Sequence, residues 1–157
     1  MLVLLFNYSD IVCDVKKHFD PDQSLQYALP HNPNIGLFLA EELERKHKEI
    51  NVKIIELNRS RAEHVSAALN NTVVINGNIL DPEILYEAGV DKSEAVIAVT
   101  DDDENNILAS LLAKKCGAKR AITLVNKATY NPLMGPLGVD VVVNPRSITV
   151  SQILSYV

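Results

Sequence analysis

A chain of 157 residues that is 47% hydrophobic and 22% charged has enough apolar side chains for one core and too many for a disordered segment. Its 15 basic and 20 acidic residues give a net charge of -5, which argues against the electrostatic footprint of a nucleic-acid binder or of a protein held on anionic lipid. Cys13 and Cys116 are far apart and match no metal-ligand spacing, so they read as reduced thiols.

The opening run Met1-Leu-Val-Leu-Leu-Phe6 is too short to span a bilayer, and no basic stretch precedes it, so neither a signal peptide nor an anchor is expected. Residues 1–33 read as a divergent lead-in. They contain Asp20-Pro21-Asp22, Pro30 and His31-Asn32-Pro33, with short strands expected at residues 2–6 and 25–29. From Asn34 onward the pattern is regular. Ile35, Leu37, Leu39, Ala40 and Leu43 recur with helical spacing up to His47 and Lys48, and the β-rich run 52–56 follows.

A second helix is expected over 59–69, with Ala62, Val65, Ala68 and Leu69 on one face, and then a strand over 72–76. After Gly77-Asn78 come a short helix from Asp81 to Ala88 and a strand over 95–99. Thr100-Asp101-Asp102-Asp103-Glu104 then places carboxylates at a helix N-terminus, where they cap N–H groups and meet the positive end of the dipole. Gly117 ends that helix. A fifth strand over 120–125, a short helix or turn over 130–137 with Pro132 and Pro136, and a sixth strand over 140–144 complete the alternation. A last helix is expected from about Ser147; its Ile148, Val150, Ile153, Leu154 and Val157 predict apolar surface left for a partner chain or for further sequence to cover.

Strands that alternate with helices, each strand a short apolar run, predict an α/β fold: a single-domain, doubly wound parallel sheet of the Rossmann-like type. Right-handed crossovers leave ligands to bind beyond the carboxyl ends of the strands. The residues to weigh are therefore Asn34, Ile35 and Gly36, then Glu56, Gly77, Asn78, Thr100, Asp101 and Asn126.

Gly36 fits the last glycine of the G-x-G-x-x-G fingerprint, but His31 and Pro33 occupy the first two glycine positions. Proline has no N–H to offer a phosphate, and a side chain at His31 crowds a turn that glycine makes easily. Glu56 ends the second of these strands 20 residues after Gly36, where an acid accepts hydrogen bonds from an adenosine ribose and repels a 2′-phosphate. Gly36 also suits plain helix–sheet packing, Thr100 and Asp101 suit capping, and Gly77-Asn78 suits a turn. The acidic run does not read as a metal site, since consecutive helical residues point in different directions.

Residues 34–43 (Asn-Ile-Gly-Leu-Phe-Leu-Ala-Glu-Glu-Leu), Ile55-Glu56, Asn78-Ile-Leu-Asp81, Leu85-Tyr-Glu-Ala-Gly89 and Ile97-Ala-Val-Thr-Asp101 together resemble the TrkA family of cytosolic potassium-uptake regulators. The resemblance is to their nucleotide-binding RCK N-terminal domain and spans residues 34–157 as that domain. It implies a regulatory subunit that binds NAD, with NADH or ATP as alternatives. Carried over, Asn34, Ile35 and Gly36 line the phosphate turn, Glu56 meets the ribose, and Asn78, Thr100 and Asp101 line the nucleoside edge. The family's first strand runs directly into its glycine turn; residues 25–29 form a poor, proline-ended version of it, and the earlier glycines are absent.

The resemblance further implies a membrane potassium-translocating partner, self-association, and a cytoplasmic location at the inner face of the plasma membrane, without insertion and without nucleic acid. A small NAD-dependent oxidoreductase is the alternative. It needs a proton donor beside the nicotinamide, and no Tyr is followed four residues later by Lys. A methyltransferase would call for an antiparallel seventh strand that the pattern does not contain.

Overall fold

The computed structural model describes residues 1–6 and 35–154. Among these, the strands are β1 (Leu2–Phe6), β2 (Val52–Glu56), β3 (Val73–Asn76), β4 (Ala95–Ala98), β5 (Ala121–Leu124) and β6 (Val141–Val143). The helices are α1 (Ile35–Lys46), α2 (Arg59–Ala68), α3 (Pro82–Glu87), α4 (Asp103–Lys115), α5 (Asn131–Leu137) and α6 (Pro145–Leu154). All strand pairs are parallel, and the sheet order is β3-β2-β1-β4-β5-β6. This is the doubly wound, Rossmann-like α/β arrangement that the alternation predicts.

The run 2–6 is the central strand, paired with β2 on one side and β4 on the other. β1 ends at Phe6 and α1 begins at Ile35, so in sequence this strand does not lead directly into the turn before Gly36 as the resemblance implied. Residues 25–29, His31, Pro33 and Asn34 lie outside the described residues. The last helix begins at Pro145, two residues earlier than expected, because a proline loses nothing in a first helical turn. Asn144 Oδ1 accepts from Ser147 N at 3.0 Å, as an N-cap does.

Each strand's alternation sends side chains into two layers. Ile55, Val96 and Ala98 face one side of the sheet, where Leu85, Ala109 and Ala113 of α3 and α4 cover them. Ile54 and Ile97 face the other side, packed with Ala40 of α1 and Val65 of α2. Both faces are thus apolar, and every residue of β2 except Lys53 is buried. A third cluster, Ile107, Val125, Met134 and Val139, fixes α5 against the far half of the sheet.

Strand register sets where the polar residues emerge. Phe6 lies opposite Glu56, and Glu56 opposite Asn76, so the carboxyl ends of β1, β2 and β3 are level. Leu5 lies opposite Ala98, so β4 reaches the same edge just before Thr100. The strand order reverses between β2 and β4, around β1. Ligands of doubly wound sheets bind beside such a reversal.

Candidate site at the carboxyl edge of the sheet

Glu56 ends β2 and is fully buried. Its Oε1 accepts from Asn58 N at 2.8 Å, and Asn58 Oδ1 in turn accepts from Arg61 N at 3.0 Å, which caps α2. Its Oε2 lies 3.4 Å from Arg61 Nε, an ion-pair distance, and has no hydrogen-bond donor among the described residues. Burial pushes the Glu56 carboxyl above the usual carboxylate range. The Asn58 N–H and Arg61 pull it back down, while the negative charge of Asp101 adds to the rise.

Asn76, at the end of β3, braces this corner. Its Nδ2 donates to Glu56 O at 2.8 Å and to Leu57 O at 2.9 Å. Gly77 follows, and a side chain there would collide with Ile84, whose atoms lie 2.8–3.0 Å from the position a Cβ would take. Asn78 is exposed; its Oδ1 accepts from Leu80 N at 2.9 Å and its carbonyl from Asp81 N at 3.0 Å, a tight turn that leads into α3. Asp81, not Asn78, caps that helix through Glu83 N at 2.9 Å.

The acidic run divides among separate tasks. Asp102 is the N-cap of α4, accepting from Asn105 N at 2.6 Å. Thr100 is 3% exposed, and its hydroxyl closes the preceding turn, donating to Asp102 O at 3.1 Å and accepting from Asp102 N at 3.2 Å. Asp103, also buried, accepts from Asn126 N at 2.9 Å, from Asn126 Nδ2 at 3.0 Å and from Lys127 N at 2.8 Å, and so ties α4 to the loop after β5. Glu104 is exposed and bonds to Lys127 Nζ at 2.9 Å and to the Tyr130 hydroxyl, which hold its carboxyl down to about 2. Asp101 is exposed and does not cap the helix. No group of three or more His, Cys, Asp or Glu among the described residues is placed to hold a metal ion.

The structure thus brings Glu56, Asn78, Thr100 and Asp101 to one edge of the sheet. Gly36 is buried in the first turn of α1, and Ile35 begins that helix. Asn34 falls outside the described residues. Asn76, Asp103 and Asn106 belong to this edge and were not singled out by sequence. Asn106 is fully buried: its Oδ1 accepts from Thr100 N at 2.7 Å, and its Nδ2 donates to Thr100 O and Leu124 O, each at 3.0 Å. One signal pointed to it. Asp103, Asn106 and Ser110 stand at i, i+3 and i+7, a polar stripe on the helix face that must pack on the sheet.

Among known proteins, the family described as the TrkA-N domain matches residues 33–145. The Trk system potassium uptake protein TrkA of Azorhizobium caulinodans is 48% identical over 124 residues, covering 79% of this chain and 27% of that protein. The TrkA homolog of Archaeoglobus fulgidus is 43% identical over 139 residues, covering 88% of this chain and 31% of that one. The chain spans about a quarter to a third of the length of these relatives. Two solved structures share the fold. The TrkA-N domain of the inner membrane protein ybaL from Escherichia coli superposes with a TM-score of 0.72 at 15% identity, covering 99% of this chain and 95% of that one. The GsuK channel bound to NAD gives a TM-score of 0.63 at 18% identity, covering 90% of this chain and 21% of that one.

Proposed function

The chain belongs to the TrkA-N domain family, and from that premise we propose that it is a nucleotide-binding regulatory module of a potassium uptake system, which takes NAD(H) or an adenine nucleotide and performs no chemistry on it. The observation that carries this reading is Glu56. A buried carboxylate oxygen without a hydrogen-bond donor, at the end of the second strand of such a sheet, suits a ribose hydroxyl. The same negative charge, beside Asp101, repels a 2′-phosphate and favours NAD over NADP.

The remaining contacts follow from position. Leu57 and Leu80, exposed apolar side chains just after β2 and β3, offer an adenine ring an apolar seat beside Asn78. Thr100 and Asp101 line the opposite wall, with Thr100 contributing backbone because its hydroxyl closes its own turn. Ile35 and Gly36 lie in the first turn of α1, and a helix N-terminus suits phosphate; the family resemblance adds Asn34 to that turn. Pro33 and His31 weaken that grip, so adenosine recognition supplies most of the affinity.

Regulation requires only differential binding. A nucleotide that prefers one of two domain arrangements shifts their populations, and the shift reaches a membrane potassium-translocating partner. The relatives carry the Trk potassium-uptake name. The transport partner, assembly with further copies of the chain, and a cytoplasmic position at the inner face of the membrane belong to this proposal. No helix among the described residues is long and apolar enough to cross a membrane.

Calorimetry of the 157-residue chain with NAD, NADH, ADP and ATP tests the reading. Binding is expected, with 2′-deoxy-ADP weaker than ADP in the wild type and the two equal in Glu56→Ala. A chain that binds none of the four overturns it, and turnover of NADH with a panel of carbonyl compounds would replace it with an oxidoreductase.

A further inference from the structure

The ladder between β4 and β5 is interrupted at the carboxyl edge. Val96 N donates to Arg120 O at 2.9 Å. In a parallel ladder the bonds recur every second residue along each strand. Two such steps would place Thr100 N on Leu124 O. Instead the Asn106 carboxamide stands between them, accepting from Thr100 N at 2.7 Å and donating to Leu124 O at 3.0 Å. Its second amide proton goes to Thr100 O at 3.0 Å.

A single side chain from α4 therefore replaces one rung and pairs with both backbone polar groups of Thr100. It stands between the ends of β4 and β5 and supplies partners for Thr100 N, Thr100 O and Leu124 O. Thr100 and Asp101 are the last residues of β4's path before the Asp102 cap, so their backbone course is set by this wedge. Asn106 is fully buried, below the surface that any ligand at the edge would touch.

We propose that Asn106 is a positioning residue of the nucleotide site: wedged between the ends of β4 and β5, it holds Thr100 and Asp101 in the course that a nucleotide meets, so affinity depends on a side chain that never contacts the ligand. This rests on the nucleotide reading above. Asn106→Asp keeps the shape but turns the donating edge into an acceptor facing two carbonyls, which drives Thr100 away from Leu124. Asn106→Ser removes the carboxamide without adding a charge and gives a milder change if the aspartate variant does not fold. Ser110→Ala is the control. Ser110, one turn further along α4, bonds to Thr123 in the same buried layer, away from the edge.

Affinities for NADH and ADP are measured by calorimetry at 10 °C, with folding verified by circular dichroism. Asn106→Asp is expected to weaken both at least tenfold and Asn106→Ser several-fold, while Ser110→Ala stays within twofold of wild type although it lowers the melting temperature. Wild-type affinity in either folded Asn106 variant, or equal weakening in Ser110→Ala, overturns the inference and leaves the nucleotide reading standing. A wild-type chain that binds neither ligand overturns the nucleotide reading, and this inference with it.

Discussion

At the end of β5, Asp103 accepts hydrogen bonds from Asn126 N, Asn126 Nδ2 and Lys127 N, Asn106 joins Thr100 to Leu124, and Asn144 Nδ2 donates to Asn126 O at 3.3 Å. At the end of β2, Glu56 is just as buried, yet its Oε2 has no hydrogen-bond donor among the described residues. Both corners hold a buried acid at the carboxyl edge, but only one is saturated from within. A carboxylate whose acceptors are filled by backbone N–H groups is a brace. One that is buried with acceptor capacity to spare pays desolvation without full compensation, and a ligand can supply the missing donor.

The most direct way to break this contrast is to remove the brace. Asp103→Ala leaves Asn126 N and Lys127 N without their acceptor in a part-buried setting, and hydrogen bonds to a charged group contribute about 1.5–3 kcal/mol each. Allowing for water entering the site, a loss of about 3 kcal/mol is expected, read as a lower urea midpoint at unchanged slope. A change below about 0.5 kcal/mol, the range of ordinary surface substitutions, would mean that Asp103 braces nothing.

Glu56→Gln makes the opposite prediction. Burial raises the Glu56 carboxyl above its ordinary 4.5, so the folded state holds that proton more tightly than the unfolded chain. Its contribution to stability is complete below pH 4.5 and is lost as pH rises through the raised value. Glutamine retains an oxygen for Asn58 N and does not ionise. The variant should therefore equal or exceed wild type in stability at pH 8, with the gap shrinking toward pH 4, while ADP binding weakens. Urea titrations of both proteins across that range test the sign. A variant less stable than wild type at pH 8 would show that Arg61 overcomes the burial penalty.

A smaller effect is expected at Asn76. Its two side-chain hydrogen bonds, to Glu56 O and Leu57 O, lie near solvent, and Asn76→Ala should cost about 1 kcal/mol. If the corner around Glu56 depends on this brace, discrimination between ADP and 2′-deoxy-ADP falls as well. Stability lost without any change in discrimination would confine Asn76 to the fold.

What could be read from the chain and what could not divide along the same line. Because those signals are local, periodicity and turn residues located the strands and α-helices from Ile35 on, with α5 read as a short helix or turn and the 3-10 turns at Val90–Lys92 and Ala128–Tyr130 missed. Glu56 was legible because a strand end and a 20-residue spacing from Gly36 fix its place in the sheet. Asp103 and Asn106 were not, since the Asp103 partners Asn126 and Lys127, and Leu124, which Asn106 joins to Thr100, lie 18–24 residues away and are met only when α4 packs on β5. The run from Asp101 to Glu104 looked like one capping device. Asp101 and Asp102 precede the helix, Asp102 as its N-cap, while Asp103 and Glu104 point about 100° apart in its first turn and meet different neighbours. The placement of β1 was legible only as a short apolar run; its pairing between β2 and β4 is a property of the sheet.

The finest test sets two glutamates against each other. Glu104 is half-exposed where Glu56 is buried, and its partners, the Tyr130 hydroxyl and Lys127 Nζ, hold it down to about 2. Its sign is therefore reversed: what it adds to stability is present above 4.5 and lost as pH falls toward 2. Solvent screens an exposed pair, so the stability change in Glu104→Gln should be hard to detect and should vanish in 0.5 M salt. The titration itself is the measurement. Followed by carboxyl carbon shifts, Glu104 should titrate below 4.5 and Glu56 above it, and Tyr130→Phe should move Glu104 upward without affecting Glu56. Two glutamates that both titrate below 4.5 would mean that Arg61 or entering water outweighs burial at the β2 corner, and the proposal that Glu56 receives a ribose would lose its support.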